Sequence, residues 1–599
     1  MFPANILCFM VIFINPILSR DACRQVELSL GSVQGIDIKI SDSDHVVCSF
    51  MGVPYAEPPV GELRFRKTAA KKPWSGKFFL HLLLANEYKP ACWQNASISP
   101  QSSMSEDCLY ANIFVDSRCL LDSQDSLCPV LFYIHGGAYE FDSPRMFDPQ
   151  DLANNIASRN IILITFSYRL GVLGFWSTGT EEASGNWAFH DMIEALKFTK
   201  REIGRFGGDA DRLTMMGHST GGCAAAALTL SPETEGLFSQ VVIMSESASR
   251  RSELDNNVSD YQELAVRVGC STRERLWNSS LTSDSYETIV GCMRKVDIAD
   301  LVNRMNDLRC CDDDIPTTTP EQIMNFAARH IGKVELPPRL MTPKNDGPAG
   351  LFPQPLRQLR ANRRPLKLMI GSTINELGNQ NRIYEAKASP YAAAQLCSLF
   401  VSKKLYKNHW QKILLECRKN YGLFAGLHER FYSKSNFSFW SRLMTSMNQE
   451  YQYFAPIQRE YSSVLDNSRN STVYLYSFDF ERKTMEGIFP WHSRDLTFIF
   501  GLHKNFKFDE DDLKIRDIYI DLLLNFVIFG DPTPEGKTNG YFKWQPLTRL
   551  RQNHYLSINL PQPTMKPYYH KNSNWFWNFV APWIEKTGRL PEKYVINEN

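Results

Sequence analysis

Apolar residues along this chain fall into short unbroken runs separated by stretches with helical spacing. Runs at 129–134, 161–168, 213–217, 241–245, 366–371 and 473–478 are strand-length. Several are apolar throughout, as expected of strands covered on both faces. Upstream, 28–40 alternates and 108–115 is a further short apolar run. The stretch 191–203 follows one of the runs and places Ala195, Leu196, Thr199 and Ile203 on one helical face. Strand–helix alternation of this kind predicts an α/β fold: a large, mostly parallel sheet with helices on both faces. The stretch at about 250–365, with its proline-rich and charged segments, reads as insertions capping the sheet. No repeat, low-complexity tract or long linker interrupts the pattern, so residues 21–585 are expected to form one domain, with 586–599 as a polar tail.

Composition agrees with a large buried core: 599 residues, 43% hydrophobic and 22% charged. Lys+Arg number 66 and Asp+Glu 65, a balance that points to neither nucleic acid nor an anionic membrane surface as partner. An apolar run from Ile6 to Leu18 opens the chain, too short to span a bilayer comfortably. Its position predicts a secretory signal over 1–20, although the only positive charge before the run is the α-amine. No later stretch holds 18 or more continuous apolar residues, so the expectation is a secreted chain without an integral membrane anchor. Of 14 cysteines, removal of Cys8 with the signal leaves 13; in an oxidising compartment most should pair and at least one is left over. Asn-x-Ser/Thr sequons at Asn95, Asn257, Asn278, Asn436 and Asn470 fit a glycosylated secreted chain.

The sharpest chemical signal is Gly217-His218-Ser219-Thr220-Gly221, followed by Gly222. An apolar run precedes it and an Ala-rich stretch follows, so it reads as strand, tight turn, helix. A serine at the tip of such a turn adopts a strained backbone, and its neighbours two residues away must be tiny. The helix N-terminus then favours negative charge near Ser219. Gly-x-Ser-x-Gly also arises by chance in loops; the strand–helix context argues against that here. A serine hydroxyl needs a base, and the developing oxyanion needs preset donors. His135-Gly136-Gly137-Ala138 follows the 129–134 run. A glycine-rich turn at a strand end exposes backbone N–H groups, which assigns the Gly137, Ala138 and Thr220 N–H groups to an oxyanion hole.

With these motifs the sequence resembles the type-B carboxylesterase/cholinesterase family, over about residues 25 to 585. The resemblance rests on Phe50-Met51-Gly52-Val53-Pro54-Tyr55-Ala56, Ser105-Glu106-Asp107-Cys108-Leu109-Tyr110, Ser167-Tyr168-Arg169-Leu170-Gly171, Phe206-Gly207-Gly208-Asp209 and the Ser219 turn. It implies the α/β-hydrolase fold. It also implies Glu376, in Gly371-Ser372-Thr373-Ile374-Asn375-Glu376, and His492, in His492-Ser493-Arg494-Asp495-Leu496, as partners of Ser219. The order serine, acid, histidine is the one this fold uses. Residue patterns alone do not single out His492 among 12 histidines. The resemblance further implies disulfides Cys92–Cys108 and Cys270–Cys292 and buried ion pairs Arg64–Glu106 and Arg169–Asp191. Cys119 with Cys128 and Cys397 with Cys417 are further candidate bridges; the adjacent Cys310 and Cys311 are unassigned. No cofactor is implied, and no convincing metal-ligand spacing occurs. The implied reaction is carboxylic ester hydrolysis of small-molecule substrates through an acyl-enzyme.

Four positions depart from the family pattern. His218 stands where Glu is usual, Thr220 for Ala, Ala138 for a third Gly, and Glu246 for the Gly of a Ser-Gly-Ser motif. The β-branch of Thr220 is expected to crowd the oxyanion site. Glu246, with Arg250 and Arg251 after it, is expected to alter the acyl pocket. The loop from Cys92 to Cys108 lacks a Trp at the spacing where cholinesterases hold a quaternary ammonium, since Trp93 comes too early. A general carboxylesterase for uncharged esters is therefore expected. The alternative from another class is a non-catalytic adhesion relative, which typically loses a triad member and carries a membrane anchor.

Overall fold

The computed structural model describes residues 23–591 apart from 24, 42, 75–81, 95–100, 122–126, 250–257, 278–281, 310–345, 348–349, 379–389, 404, 424–436, 483–489, 504–505, 537–541 and 571–574. An 11-stranded sheet carries the fold. Its strands in chain order are β1 (Ile36–Lys39), β2 (Val46–Pro54), β3 (Tyr110–Asp116), β4 (Cys128–Ile134), β5 (Ile162–Phe166), β6 (Gly208–His218), β7 (Gln240–Met244), β8 (Lys367–Thr373), β9 (Thr472–Phe478), β10 (Tyr555–Ile558) and β11 (Thr564–Lys566). Across the sheet they run β1-β2-β3-β5-β4-β6-β7-β8-β9-β10-β11. From β5 through β10 every neighbouring pair is parallel. The margins are antiparallel. This is the large, mostly parallel sheet expected from the unbroken apolar runs, in the α/β-hydrolase arrangement that the resemblance implies.

The reason those runs do not alternate lies in the two cores. Along β4, Val130, Phe132 and Ile134 point into one hydrophobic cluster. Leu131 and Tyr133 point into another. The first is closed by α1 (Trp187–Glu202), which contributes Phe189, Met192 and Leu196, and by the Ala-rich α2 (Thr220–Leu228). The second is closed by α3 (Glu510–Phe529) through Ile515, Tyr519 and Leu523. Both faces of each central strand are covered, so both periods of the pleat must be apolar. Buried alanines at 224–227 let α2 lie close against the sheet. The alternating stretch 28–40 is not one strand. It breaks into Val26–Leu28, Gly31–Gln34 and β1, with a hairpin pairing Leu28 to Gly31. Gly31 has φ +138 and Gly35 has no room for a Cβ against the Ser49 carbonyl, so the chain turns at both glycines. The described part of 250–365 is mostly helical, including Val258–Arg267 and Ser283–Lys295, with irregular chain at 350–355 and 362–365.

Five disulfides are present among the described residues: Cys92–Cys108, Cys119–Cys128, Cys270–Cys292, Cys397–Cys417 and the unforeseen Cys23–Cys48. Cys223 is a buried thiol. Cys8, Cys310, Cys311 and the signal segment lie outside the described residues. So do four of the five sequon asparagines, Asn95, Asn257, Asn278 and Asn436; Asn470 sits exposed in the turn before β9. Arg64 meets Glu106 in a two-pronged pair at 2.7 and 2.6 Å. Arg169 likewise meets the fully buried Asp191 at 2.8 Å through both Nε and Nη2. No helix among the described residues is long and apolar enough to cross a membrane.

Candidate active site

Four parallel strands deliver the candidate residues at or beyond their C-terminal ends, where α/β sheets bind ligands. Ser219 follows β6 directly and precedes α2. Its φ of +56 and ψ of −129 put it in a region that costs a non-glycine residue about 1–3 kcal/mol. Three glycines make the turn feasible. A Cβ on Gly217 would sit 2.0 Å from the Gly221 carbonyl oxygen, and one on Gly221 would sit 2.2 Å from that of Ile134. A Cβ on Gly136 would come within 3.0 Å of Ser219 Cβ. The turn is pinned by Ser219 N–H donating to the Met244 carbonyl at 2.9 Å.

The structure brings Ser219, His492 and Glu376 together from positions far apart in sequence. Ser219 Oγ lies 2.8 Å from His492 Nε2. His492 Nδ1 lies 2.5 Å from Glu376 Oε2. An ionised carboxylate only accepts, so Nδ1 carries the proton and Nε2 presents its lone pair to the hydroxyl. Glu376 is fully buried and its other oxygen accepts from Ser245 Oγ at 2.7 Å and from Thr373 N–H at 2.8 Å. The backbone also joins the two loops: His492 N–H donates to the Glu376 carbonyl at 3.0 Å. Burial works to lower the His492 pKa. The hydrogen bond and charge of Glu376, with smaller contributions from Glu246 and Asp495, outweigh it and raise the pKa above the ordinary histidine value.

Residue patterns single out neither Ser245 nor Asp495 as a support of the triad. For Ser245 the available signals are its place at the tip of a central parallel strand and in the Ser-Glu-Ser stretch 245–247. Asp495 lies three residues after His492 in the histidine motif. It is fully buried, and burial and the nearby Glu376 push its carboxyl up to about 7.

The glycine-rich turn after β4 lies across from Ser219. Gly137 has φ +96 and a Cβ there would fall 2.0 Å from the Phe141 carbonyl oxygen; Ala138 has φ +56. The N–H groups of Gly137 and Ala138 donate to no acceptor among the described residues, whereas the Gly137 carbonyl accepts from Glu140 and Phe141. His135 is buried and stacked on Tyr168, whose hydroxyl donates to the His135 carbonyl at 2.8 Å. Burial lowers the His135 pKa to about 4, so the ring is a neutral scaffold. Thr220 uses its side chain here: Oγ1 accepts the Tyr139 N–H at 3.2 Å and ties this turn to the start of α2. The Thr220 hydroxyl therefore links the two walls of the site.

The other departures also have places. His218 is buried, with its ring centroid 4.8 Å from that of His492. Burial, then the charges of His492 and His503, depress its pKa well below the ordinary value, so it stays neutral. Glu246 is buried, and its charge is one of those that raise His492; Arg250 and Arg251 lie outside the described residues. Trp93 is half-buried and packed against the core. Among the described residues, one His/Cys/Asp/Glu group has the dimensions of a metal site, Cys23, Asp37 and Cys48, and its two sulfurs are joined in a disulfide.

The carboxylesterase family model matches residues 22–577. Acetylcholinesterase-1 of Trittame loki is 34% identical over 294 residues, 47% of this chain and 48% of that protein. Pyrethroid hydrolase Ces2a of Mus musculus is 32% identical over 302 residues, 48% of this chain and 50% of that protein. Esterase cest-33 of Caenorhabditis elegans is 25% identical over 582 residues, 93% of this chain and 94% of that protein. The chain thus spans about half the length of the first two relatives and nearly all of the third.

Proposed function

The chain belongs to the carboxylesterase family, and from that premise we propose that it hydrolyses uncharged carboxylic esters with Ser219 as nucleophile, His492 as general base and Glu376 as its orienting acid. One observation carries the proposal: the 2.8 Å and 2.5 Å contacts that link hydroxyl, imidazole and carboxylate in series. Nε2 takes the Ser219 proton as Oγ attacks the ester carbonyl. The N–H groups of Gly137, Ala138 and Thr220 receive the oxyanion, in a region where the start of α2 adds its own positive end. The alcohol leaves with the proton held by His492. Water then gives a proton to His492 and attacks the acyl carbon, and collapse returns the proton to Ser219 and frees the carboxylic acid. Glu376 keeps the imidazole in the productive tautomer and steadies the imidazolium.

The strained φ of Ser219 also favours this reading, because a binding surface alone has no use for such a turn. Uncharged substrates are favoured because Trp93 is packed against the core instead of standing ready for a cation. The relative named pyrethroid hydrolase supports the same reading, since pyrethroids are uncharged esters. The five disulfides suit the secretory pathway. Steady-state kinetics on p-nitrophenyl butyrate and on butyrylthiocholine test the proposal. The expected result is turnover with kcat/KM favouring the neutral ester and loss of activity in Ser219→Ala. Absence of turnover on both would return the chain to the adhesion reading.

A further inference from the structure

A large cavity lies apart from the catalytic residues. It is an open cleft of about 1440 Å³ between the helices Leu356–Ala361, Ala455–Asn467 and the C-terminal helix Ala581–Thr587, and none of Ser219, Glu376 or His492 lines it. Small-molecule sites typically occupy about 300–1,000 Å³, so the space is sufficient for a ligand.

Two features of its lining are unusual together. The first is charge. Five basic side chains line the cleft against two acidic ones. Arg357, Lys407 and Lys586 are exposed, and none forms an ion pair among the described residues. Behind them Arg360 and Arg363 share the single buried carboxylate of Glu460, which is held at about 2 because their charges overcome its burial. Two of the floor cations are fixed in place. Arg360 donates to the Ala248 carbonyl, and Arg459 donates to the Ser249 carbonyl at 2.8 Å and to Asn578 Oδ1 at 2.6 Å. The second feature is an aromatic wall. Trp575 and Phe579 stack at 4.7 Å with 40% and 41% of their surfaces exposed, and Tyr568 is 63% exposed. Large rings at such exposure beside a cleft mark a surface that gains from being covered.

A ligand that satisfies both features has one anionic head and an apolar body. We propose that this cleft is a binding site for an anionic amphiphile, separate from the ester site, with the head held among Arg357, Lys407 and Lys586 and the body laid on Trp575 and Phe579. A prestacked aromatic wall needs little ordering on binding, which favours affinity. The proposal does not depend on the triad.

The probe is decanoate below its micelle concentration, titrated calorimetrically into the full chain beside decanol and decyltrimethylammonium. The expected result is saturable binding of decanoate, with decanol weaker and the cation weakest. In the double variant Arg357→Glu and Lys407→Glu, decanoate affinity should fall about tenfold or more, because like charges then face the head group. Both side chains are exposed, so the variant should keep its melting temperature and its ester turnover. Unchanged decanoate affinity in that folded variant, equal binding of the cation by the wild type, or no saturable binding at all overturns the proposal.

Discussion

Adding a single methyl group at Gly217 tests whether the Ser219 turn is as tight as the structure implies. The new Cβ would lie 2.0 Å from the Gly221 oxygen, 2.3 Å from its carbonyl carbon and 2.8 Å from the Gly222 nitrogen. Ordinary carbon–oxygen contact is roughly 3.4 Å, so strand and helix must part by about 1 Å or more. Neither has room to yield cheaply. β6 is held by β4 on one side and β7 on the other, and Gly221 is already against the Ile134 carbonyl. Overpacking of this kind costs about 1–3 kcal/mol in stability. The displacement falls on Ser219, whose Oγ has only a 2.8 Å contact to spare. A misplacement of about 1 Å at reacting atoms costs on the order of 10²-fold in rate. The assay is kcat on p-nitrophenyl butyrate with a parallel thermal melt. Gly204→Ala serves as the control, since nothing lies within 4 Å of its Cβ; it should leave both measurements unchanged. A Gly217→Ala enzyme with near wild-type kcat and melting temperature would refute the reasoning.

Three further outcomes follow from the same geometry. Glu376→Gln removes the charge that holds His492 above its ordinary pKa, so the acid limb of kcat/KM against pH should move to lower pH while kcat drops by roughly 10⁴-fold from the wrong tautomer; a limb that stays in place argues against the pairing. Asp495 has its folded pKa raised to about 7, so the folded state holds a proton the unfolded chain releases and stability falls as pH rises from about 4 to 7. In Asp495→Asn that contribution is gone, and the melting temperature of the variant relative to wild type should climb across this window; a constant difference contradicts it. Arg169→Met leaves Asp191 buried without its two-pronged partner, and urea unfolding should show a loss of about 3–5 kcal/mol; a loss below 1 kcal/mol means the pair is not what stabilises that corner.

The central strands were legible because burial on both faces leaves a signature within a few residues, as Val130–Phe132–Ile134 and Leu131–Tyr133 show on β4. The Ser219 turn was legible for the same local reason: strand, glycine, serine, glycine and helix adjoin in sequence. His492 and Glu376 were not. They stand 273 and 157 positions from Ser219 along the chain, and they meet only because β6, β7, β8 and β9 lie in succession across the sheet, joined by long connections. Only family likeness could point to them. Cys23–Cys48 went unseen because it depends on how the alternating stretch 28–40 folds back, and that folding is decided by the space at Gly31 and Gly35. The link made by Thr220 was not legible either, since the residue type shows a β-branch but not the Tyr139 N–H that its hydroxyl accepts.

The most direct measurement of the central claim is the site and stoichiometry of covalent capture by a fluorophosphonate probe, read by intact mass and peptide mapping. The account predicts one probe per chain, on Ser219, with labelling slowed as pH falls through the His492 pKa and abolished in Ser219→Ala. A probe carried on any other residue, or capture that persists in Ser219→Ala, would contradict it.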